Sequence, residues 1–181
     1  MAKETKIVAD TSTLEAVCKT EYAAPVFEHL PLSTTDTCFE EIKRTSASAS
    51  DPQRAAAARQ VLDNYRDYGT PRVVPTSVSY EPYVSDQGEQ SIVTLLSSDS
   101  DRQIKYVLLF DFEAAEEIRS LVDLDTVEVS TPGRAFELCW QGGFLTEANH
   151  HDALRQLAAS EGWRGEALVE QLPKTRYQDV F

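Results

Sequence analysis

The sequence has few lysines and no long apolar run. Only six of its 17 basic residues are Lys, and no segment approaches the roughly 18 apolar residues that a membrane-spanning helix needs. The first ten residues, MAKETKIVAD, pass directly into a predicted strand and lack the apolar region of a signal peptide. These absences argue against a membrane protein and a secreted protein, so we expect a cytoplasmic location and no membrane partner.

Cysteine is also scarce. Cys18, Cys38 and Cys139 are odd in number and far apart, and they include no C-x-x-C spacing. This pattern excludes a disulfide framework and a cysteine zinc site. We expect the three thiols to be small buried groups in a reducing compartment.

Basic charge is the third shortage. The chain has 30 acidic residues against 17 basic ones, a formal charge of −13 and a pI near 4.6. A general phosphate-binding surface is basic, so this balance argues against one. A lysine-poor, acid-rich surface is typical of a salt-adapted (halophilic) protein, because high salt screens the self-repulsion. An ordinary acidic cytosolic protein is the alternative interpretation.

With 181 residues, 41% of them hydrophobic, the chain is long enough for one globular domain. Predicted strands alternate with predicted helices, which favours a three-layer α/β/α fold with a mostly parallel central sheet. The predicted strands cover residues 6–10, 31–34, 104–110 and 126–130, with an edge strand or extended loop in 70–80. The predicted helices run from a cap at Thr11 or Ser12 to 19, and over 25–29, 36–44, 52–68, 86–97, 113–122, 132–141 and 146–161.

Four carboxylates lie where an apolar run meets a helix start, or inside a helix. They are Asp10, Glu41, Glu89 and Asp111. Burying an unpaired carboxylate is costly, so acids beside such runs are expected to have partners. In parallel sheets, sites form at the carboxyl ends of the strands, where Asp10 and Asp111 are predicted to lie. We therefore expect the four acids to converge on a hard divalent cation, Mg²⁺ or Mn²⁺.

The order of these motifs resembles the PIN-domain family, in particular archaeal PIN-like proteins. The resemblance includes VADTS around Asp10, EEI ending at Ile42, GEQSIVTLL with Glu89, YVLLFD ending at Asp111, and the closing segment 130–146. It covers about residues 6–160, so we assign a PIN-like domain to 1–162 and a C-terminal tail to 163–181.

The resemblance implies a metal-dependent endoribonuclease, a hydrolase whose four acids bind the metal, and in many relatives a toxin paired with an antitoxin protein. Thr11 and Ser12 are expected to support the ligand carboxylates, and Asp86 and Glu113 are alternative outer ligands. We expect single-stranded RNA as the substrate and a homodimer as the assembly.

The chain also departs from the family pattern. Ile92 replaces a usual small Ala, Phe112 follows Asp111 where a second acid is common, and residues 45–80 form a longer insert than in compact toxins. A catalytically inactive module that binds a partner protein or RNA is therefore the alternative. A phosphatase with Asp10 as nucleophile is a weaker one, because that fold needs an acid pair where Asp111 and Phe112 stand.

Two further groups could contribute to function. Arg54, Arg59 and Arg66 share one predicted helix and could contact phosphates, although a solvated face with salt bridges is the favoured interpretation. The adjacent His150 and His151 are predicted to form a surface pair.

Overall fold

The strands assemble into one parallel sheet in the computed structural model, which describes residues 6–81, 84–98, 104–123 and 125–164. The strands are β1 (Lys6–Ala9), β2 (Leu32–Thr35), β3 (Arg72–Val74), β4 (Ile104–Leu108) and β5 (Glu128–Ser130). Their order is β3-β2-β1-β4-β5, and every neighbouring pair is parallel. The sheet contains β3 as an edge strand, as the two prolines of that segment predict.

Helices cover both faces of the sheet. Within the described ranges they are α1 (Thr11–Cys18), α2 (Ala23–His29), α3 (Asp36–Ser46), α4 (Pro52–Tyr68), α5 (Gln87–Ser97), α6 (Phe112–Leu121), α7 (Gly133–Gln141) and α8 (Glu147–Glu161). The predicted three-layer α/β/α fold is confirmed. No helix of the described residues is both long enough and apolar enough to cross a membrane.

Alternation along β1 divides the core into two clusters, because successive strand residues point to opposite faces. Ile7 and Ala9 pack with residues of α1, α2, α4, α7 and α8. Val8 lies in the other cluster, with residues of α5 and α6. Helix α3 contributes to both, through Ile42 on one side and Cys38 on the other. This bridging position brings α3 to the end of the sheet near α5.

Most predicted helix ends are confirmed, with one correction. Thr35 caps α3 through a bond from the Cys38 amide, and Gly69 ends α4 in the left-handed conformation. The predicted cap of α1 at Thr11 or Ser12 is wrong. Asp10 is the cap, because its carboxylate accepts the amide N–H of Thr13 and both predicted cap residues lie inside the helix.

The histidine prediction is also wrong. His150 is fully buried in α8, and its ring stacks on Trp140 with centroids 5.2 Å apart. The two histidines lie in the first turns of α8, whose buried face contains Ala153 and Leu154. His150 is on that same face, and the sequence alone did not show that α7 packs against it. The three cysteines are free and buried, as predicted.

The first residues after α8 pack against the rest of the domain. The Trp163 amide donates to the Ala158 carbonyl at 2.9 Å, and the Trp163 ring lies 5.8 Å from that of Phe110. The remainder of the predicted tail, residues 165–181, lies outside the described residues.

Candidate active site

A cavity of about 510 Å³ opens beyond the carboxyl ends of the central strands. Three of the four predicted acids line it: Asp10 directly after β1, Glu41 in the middle of α3, and Glu89 in the first turn of α5. These elements meet because β1 and β2 are neighbours in the sheet and α3 packs against α5. Acids far apart in sequence thus share one cavity.

The Asp10 carboxylate is held by two backbone donors. Its Oδ1 accepts the Thr13 amide at 2.7 Å, and its Oδ2 accepts the Phe110 amide at 3.3 Å. Burial raises the pKa of Asp10 to about 6, against these hydrogen bonds, which lower it. The nearby Glu41 charge acts in the same direction as burial. Asp10 is therefore a helix cap and also a cavity carboxylate whose ionised form is disfavoured by burial.

The Glu41 carboxylate is also fixed through both oxygens. The Thr11 hydroxyl donates to Oε2 at 2.6 Å, and the Gly88 amide donates to Oε1 at 3.2 Å. The Thr11 oxygen also lies 3.1 Å from the Cys38 carbonyl. These contacts join α1, α3 and α5 around one carboxylate, so Glu41 is oriented before any ligand binds.

Glu89 is the acid most affected by its neighbours. Burial, followed by the charges of Asp111 and Asp86, raises the pKa of Glu89 to about 7. The Asp10 charge contributes as well. The carboxylates of Asp111, Asp86 and Asp10 therefore all act on Glu89 in the same direction as burial.

Asp111 lies in a neighbouring cavity of about 690 Å³, which Glu89 and Asp86 also line. It caps α6, accepting the Ala114 amide on Oδ1 at 3.0 Å. The two cavities are thus adjacent, with Asp86 and Glu89 between them. Three of the predicted acids thus line the first cavity, whereas the fourth, Asp111, lines only the second, which shares Glu89 with the first.

The predicted supporting residues occupy different positions. Thr11 and Ser12 line the first cavity, and Thr11 contacts Glu41 as described above. Glu113 lines the second cavity. Asp86 lines both and precedes α5 with a φ of 62°, in the left-handed region that Asp tolerates better than most residues.

The donor set fits a hard divalent cation in its chemistry, because these ligands are carboxylate oxygens beside hydroxyls. The carboxylates are not gathered around one point, however. Among the described residues, no three His, Cys, Asp or Glu side chains are close enough together to hold an ion. A cation bound here would be held by oxygens of these carboxylates.

A second wall of the first cavity was not predicted as part of the site. It consists of residues from the end of α3, the following loop and the start of α4: Arg44, Thr45, Ser48, Ser50, Asp51 and Arg54. The sequence contained one signal, the arginines of α4. It did not indicate that Arg54 faces the acids whereas Arg59 and Arg66 do not line the cavity.

The chain matches a known protein family. A family model described as a halobacterial PIN domain matches residues 1–175 of the chain. Searches of the curated proteins and of the solved structures returned no match.

Proposed function

Because the chain belongs to the halobacterial PIN domain family, whose members are generally nucleases, we propose that it is an endoribonuclease. It hydrolyses phosphodiester bonds of single-stranded RNA with the help of Mg²⁺ or Mn²⁺. The family description accords with the salt-adapted composition, −13 formal charges and six lysines.

The observation that carries the proposal is the meeting of Asp10, Glu41 and Glu89 in one cavity. Two of these carboxylates are oriented through both of their oxygens, by donors from α1, α5 and the segment after β4. This arrangement is suited to holding charged ligands in a fixed position.

Asp10, Glu41 and Glu89 are the residues that would hold the cation, with Asp111 approaching from the second cavity. A divalent cation bound there would supply positive charge for the phosphodiester oxygen and would make water a better nucleophile. Thr11 and the Gly88 amide keep Glu41 turned toward the cavity. In the hydrolysis, a water oxygen bonds to phosphorus and loses a proton to solvent, while the bond from phosphorus to the leaving sugar oxygen breaks and that oxygen takes up a proton from solvent.

The test is cleavage of a single-stranded RNA by purified protein. We expect cleavage with Mn²⁺ or Mg²⁺, and none after EDTA is added. Asp10→Asn should abolish cleavage while preserving the fold, since Asn can still accept the Thr13 amide. Asp63→Asn is the matched control, because Asp63 is exposed on α4 and does not line the cavity. Cleavage by Asp10→Asn at the wild-type rate would refute the proposal.

One observation favours an inactive RNA- or protein-binding module as the second candidate. Phe112 is 47% exposed directly after Asp111, where an acid is usual in the family. An exposed aromatic ring there could contact a partner instead of supporting a metal ligand. RNA binding without cleavage under any metal condition would favour this candidate.

A further inference from the structure

A buried carboxylate on α1 is paired with an arginine on α4. The Glu15 side chain is 3% exposed, and its Oε2 lies 2.6 Å from Nε of Arg54, whose own side chain is 46% exposed. Burial raises the pKa of Glu15, opposed by its bond to Arg54. The pair therefore has a buried anionic end and an accessible cationic end.

The accessible end lies on the second wall of the cavity. Along α3, the lining residues change from Glu41 to Arg44 and Thr45 within about one helical turn. Arg54 lies beside them at the start of α4. The acids and the cationic wall thus face one shared space.

The cavity needs cationic groups to admit a phosphate. Its described lining includes five acids, Asp10, Glu41, Asp51, Asp86 and Glu89, but only two basic residues, Arg44 and Arg54. The guanidinium of Arg44 donates to the Tyr80 hydroxyl at 3.0 Å. Although burial acts to lower the pKa of Arg54, the Glu15, Glu41 and Asp51 carboxylates raise it, so Arg54 stays charged.

The pairing with Glu15 leaves the two Nη groups of Arg54 for a ligand. The bond to Glu15 uses Nε, so both Nη groups of this half-exposed side chain remain as donors. Two parallel N–H donors of a guanidinium match two oxygens of a phosphate. Because Glu15 already holds the Nε edge of Arg54, the side chain loses less conformational freedom when a phosphate binds.

We propose that Arg54 binds a backbone phosphate of the RNA next to the cleaved bond, and that Glu15 is a positioning residue that holds its guanidinium toward the cavity. This inference rests on the proposed function for its substrate. It gives the insert that contains α4 a role in substrate binding on an otherwise acidic protein.

The other arginines of α4 provide matched controls. Arg66 pairs with Asp63 on the exposed surface, and Arg59 donates to the Ser46 carbonyl at 2.9 Å. Neither lines the cavity. Removal of either changes the net charge as much as removal of Arg54 does, without changing the cationic wall.

The experiment measures binding of a fluorescent single-stranded RNA oligonucleotide in EDTA, across a range of KCl concentrations. Arg54→Gln leaves a buried charge unpaired, so the double variant Glu15→Gln with Arg54→Gln is measured beside it. We expect the double variant to bind roughly ten- to a hundredfold more weakly, as for the loss of a charged hydrogen bond. The slope of log affinity against log salt should become shallower by about 0.7, corresponding to one phosphate contact. Arg66→Gln should match the wild type.

The positioning role of Glu15 has its own comparison. Glu15→Gln keeps an acceptor for Nε and should retain most of the affinity, whereas Glu15→Met fills the space without an acceptor and should lose it. Circular dichroism spectra and melting curves check that both variants are folded. Equal binding by these two variants would overturn the positioning role.

The outcomes separate the two proposals. Wild-type binding and wild-type salt slope in the double variant would overturn the phosphate contact and leave a purely structural ion pair. RNA cleavage by the double variant at an unchanged KM would also overturn the phosphate contact of Arg54. Binding that depends on Arg54 in a protein that never cleaves RNA would support this inference while refuting the nuclease proposal. A wild-type protein that does not bind RNA would overturn both.

Discussion

Gly88 lies so close to Glu41 that a side chain at position 88 would displace the Glu41 carboxylate. The Gly88 amide donates to Glu41 Oε1 at 3.2 Å, and a Cβ on Gly88 would lie 2.8 Å from Glu41 Oε2. It would also lie 3.1 Å from Cys38 Sγ. The missing side chain of Gly88 allows α5 to approach α3, and this approach orients a cavity carboxylate.

Gly88→Ala tests this relationship. The added methyl group should push the Glu41 carboxylate out of place, so RNA cleavage should fall at least about tenfold, as expected when a reacting group is misplaced by a fraction of an ångström. Stability should change by only ~1 kcal/mol, since Ala favours the helix while the contact opposes it. Cleavage rates and urea unfolding curves measure the two effects. Ser97→Ala, at the exposed end of α5, is the control. Unchanged cleavage by Gly88→Ala would show that cleavage does not depend on the contact between Gly88 and Glu41.

Metal binding should depend more on Glu89 than on Asp86. Without metal, Glu89→Gln should stabilise the protein by ~1 kcal/mol, because it removes one of several repelling carboxylates. Mn²⁺ at about 10 to 100 times its dissociation constant should stabilise the wild type by roughly 1.4–2.7 kcal/mol. Mn²⁺ should stabilise the Glu89→Gln variant much less than it stabilises the wild type.

The comparison uses thermal melts of Glu89→Gln and Asp86→Asn with and without Mn²⁺. Glu116→Gln is the control, because Glu116 is exposed on α6 and pairs with Arg119 outside both cavities. A larger loss of metal response in Asp86→Asn would make Asp86 the third ligand. Destabilisation in every variant, with no metal effect, would identify the acids as caps or salt-bridge partners.

The metal-free protein should be less stable at pH 8 than at pH 5. Folding raises the pKa of Asp10 from 3.8 to about 6 and that of Glu89 from 4.5 to about 7. Between the unfolded and folded pKa values, the native state holds protons that the unfolded chain has lost. The free energy of unfolding therefore falls as the pH rises through this window, by up to ~3 kcal/mol for Asp10.

Urea unfolding in EDTA at fixed KCl measures this pH dependence. Asp10→Asn should flatten the part of the curve between pH 4 and about 6, since the titrating group is gone. A wild-type curve that rises from pH 5 to pH 8 would contradict the raised pKa values.

Salt should stabilise the protein up to molar concentration. Self-repulsion from 13 net negative charges is relieved as the Debye length falls from ~10 Å at 0.1 M to ~3 Å at 1 M. The melting temperature should therefore rise as KCl increases over that range. Sorbitol, which is uncharged, serves as the control for general solute effects. A flat or falling melting temperature in KCl would remove the salt-adapted interpretation without affecting the fold.

Local patterns in the sequence were enough to predict the elements of the fold. The apolar run that forms β4, the cap at Thr35 and the stop at Gly69 depend on residues within a few positions of one another. The alternation of strands with helices then implied a parallel sheet, and parallel sheets place strand ends at one edge. The positions of Asp10 and Asp111 after their strands were therefore predictable.

The tertiary structure decided which of these side chains share a cavity. Glu41 meets Gly88 because α3 packs on α5, and His150 is buried because α8 packs on α7. Arg54 faces the acids, whereas Arg66 on the same helix faces solvent. Sequence spacing determines the face of a helix on which a residue lies. Only the packing of helices on the sheet determines what that face contacts, because it depends on contacts between segments far apart in the chain.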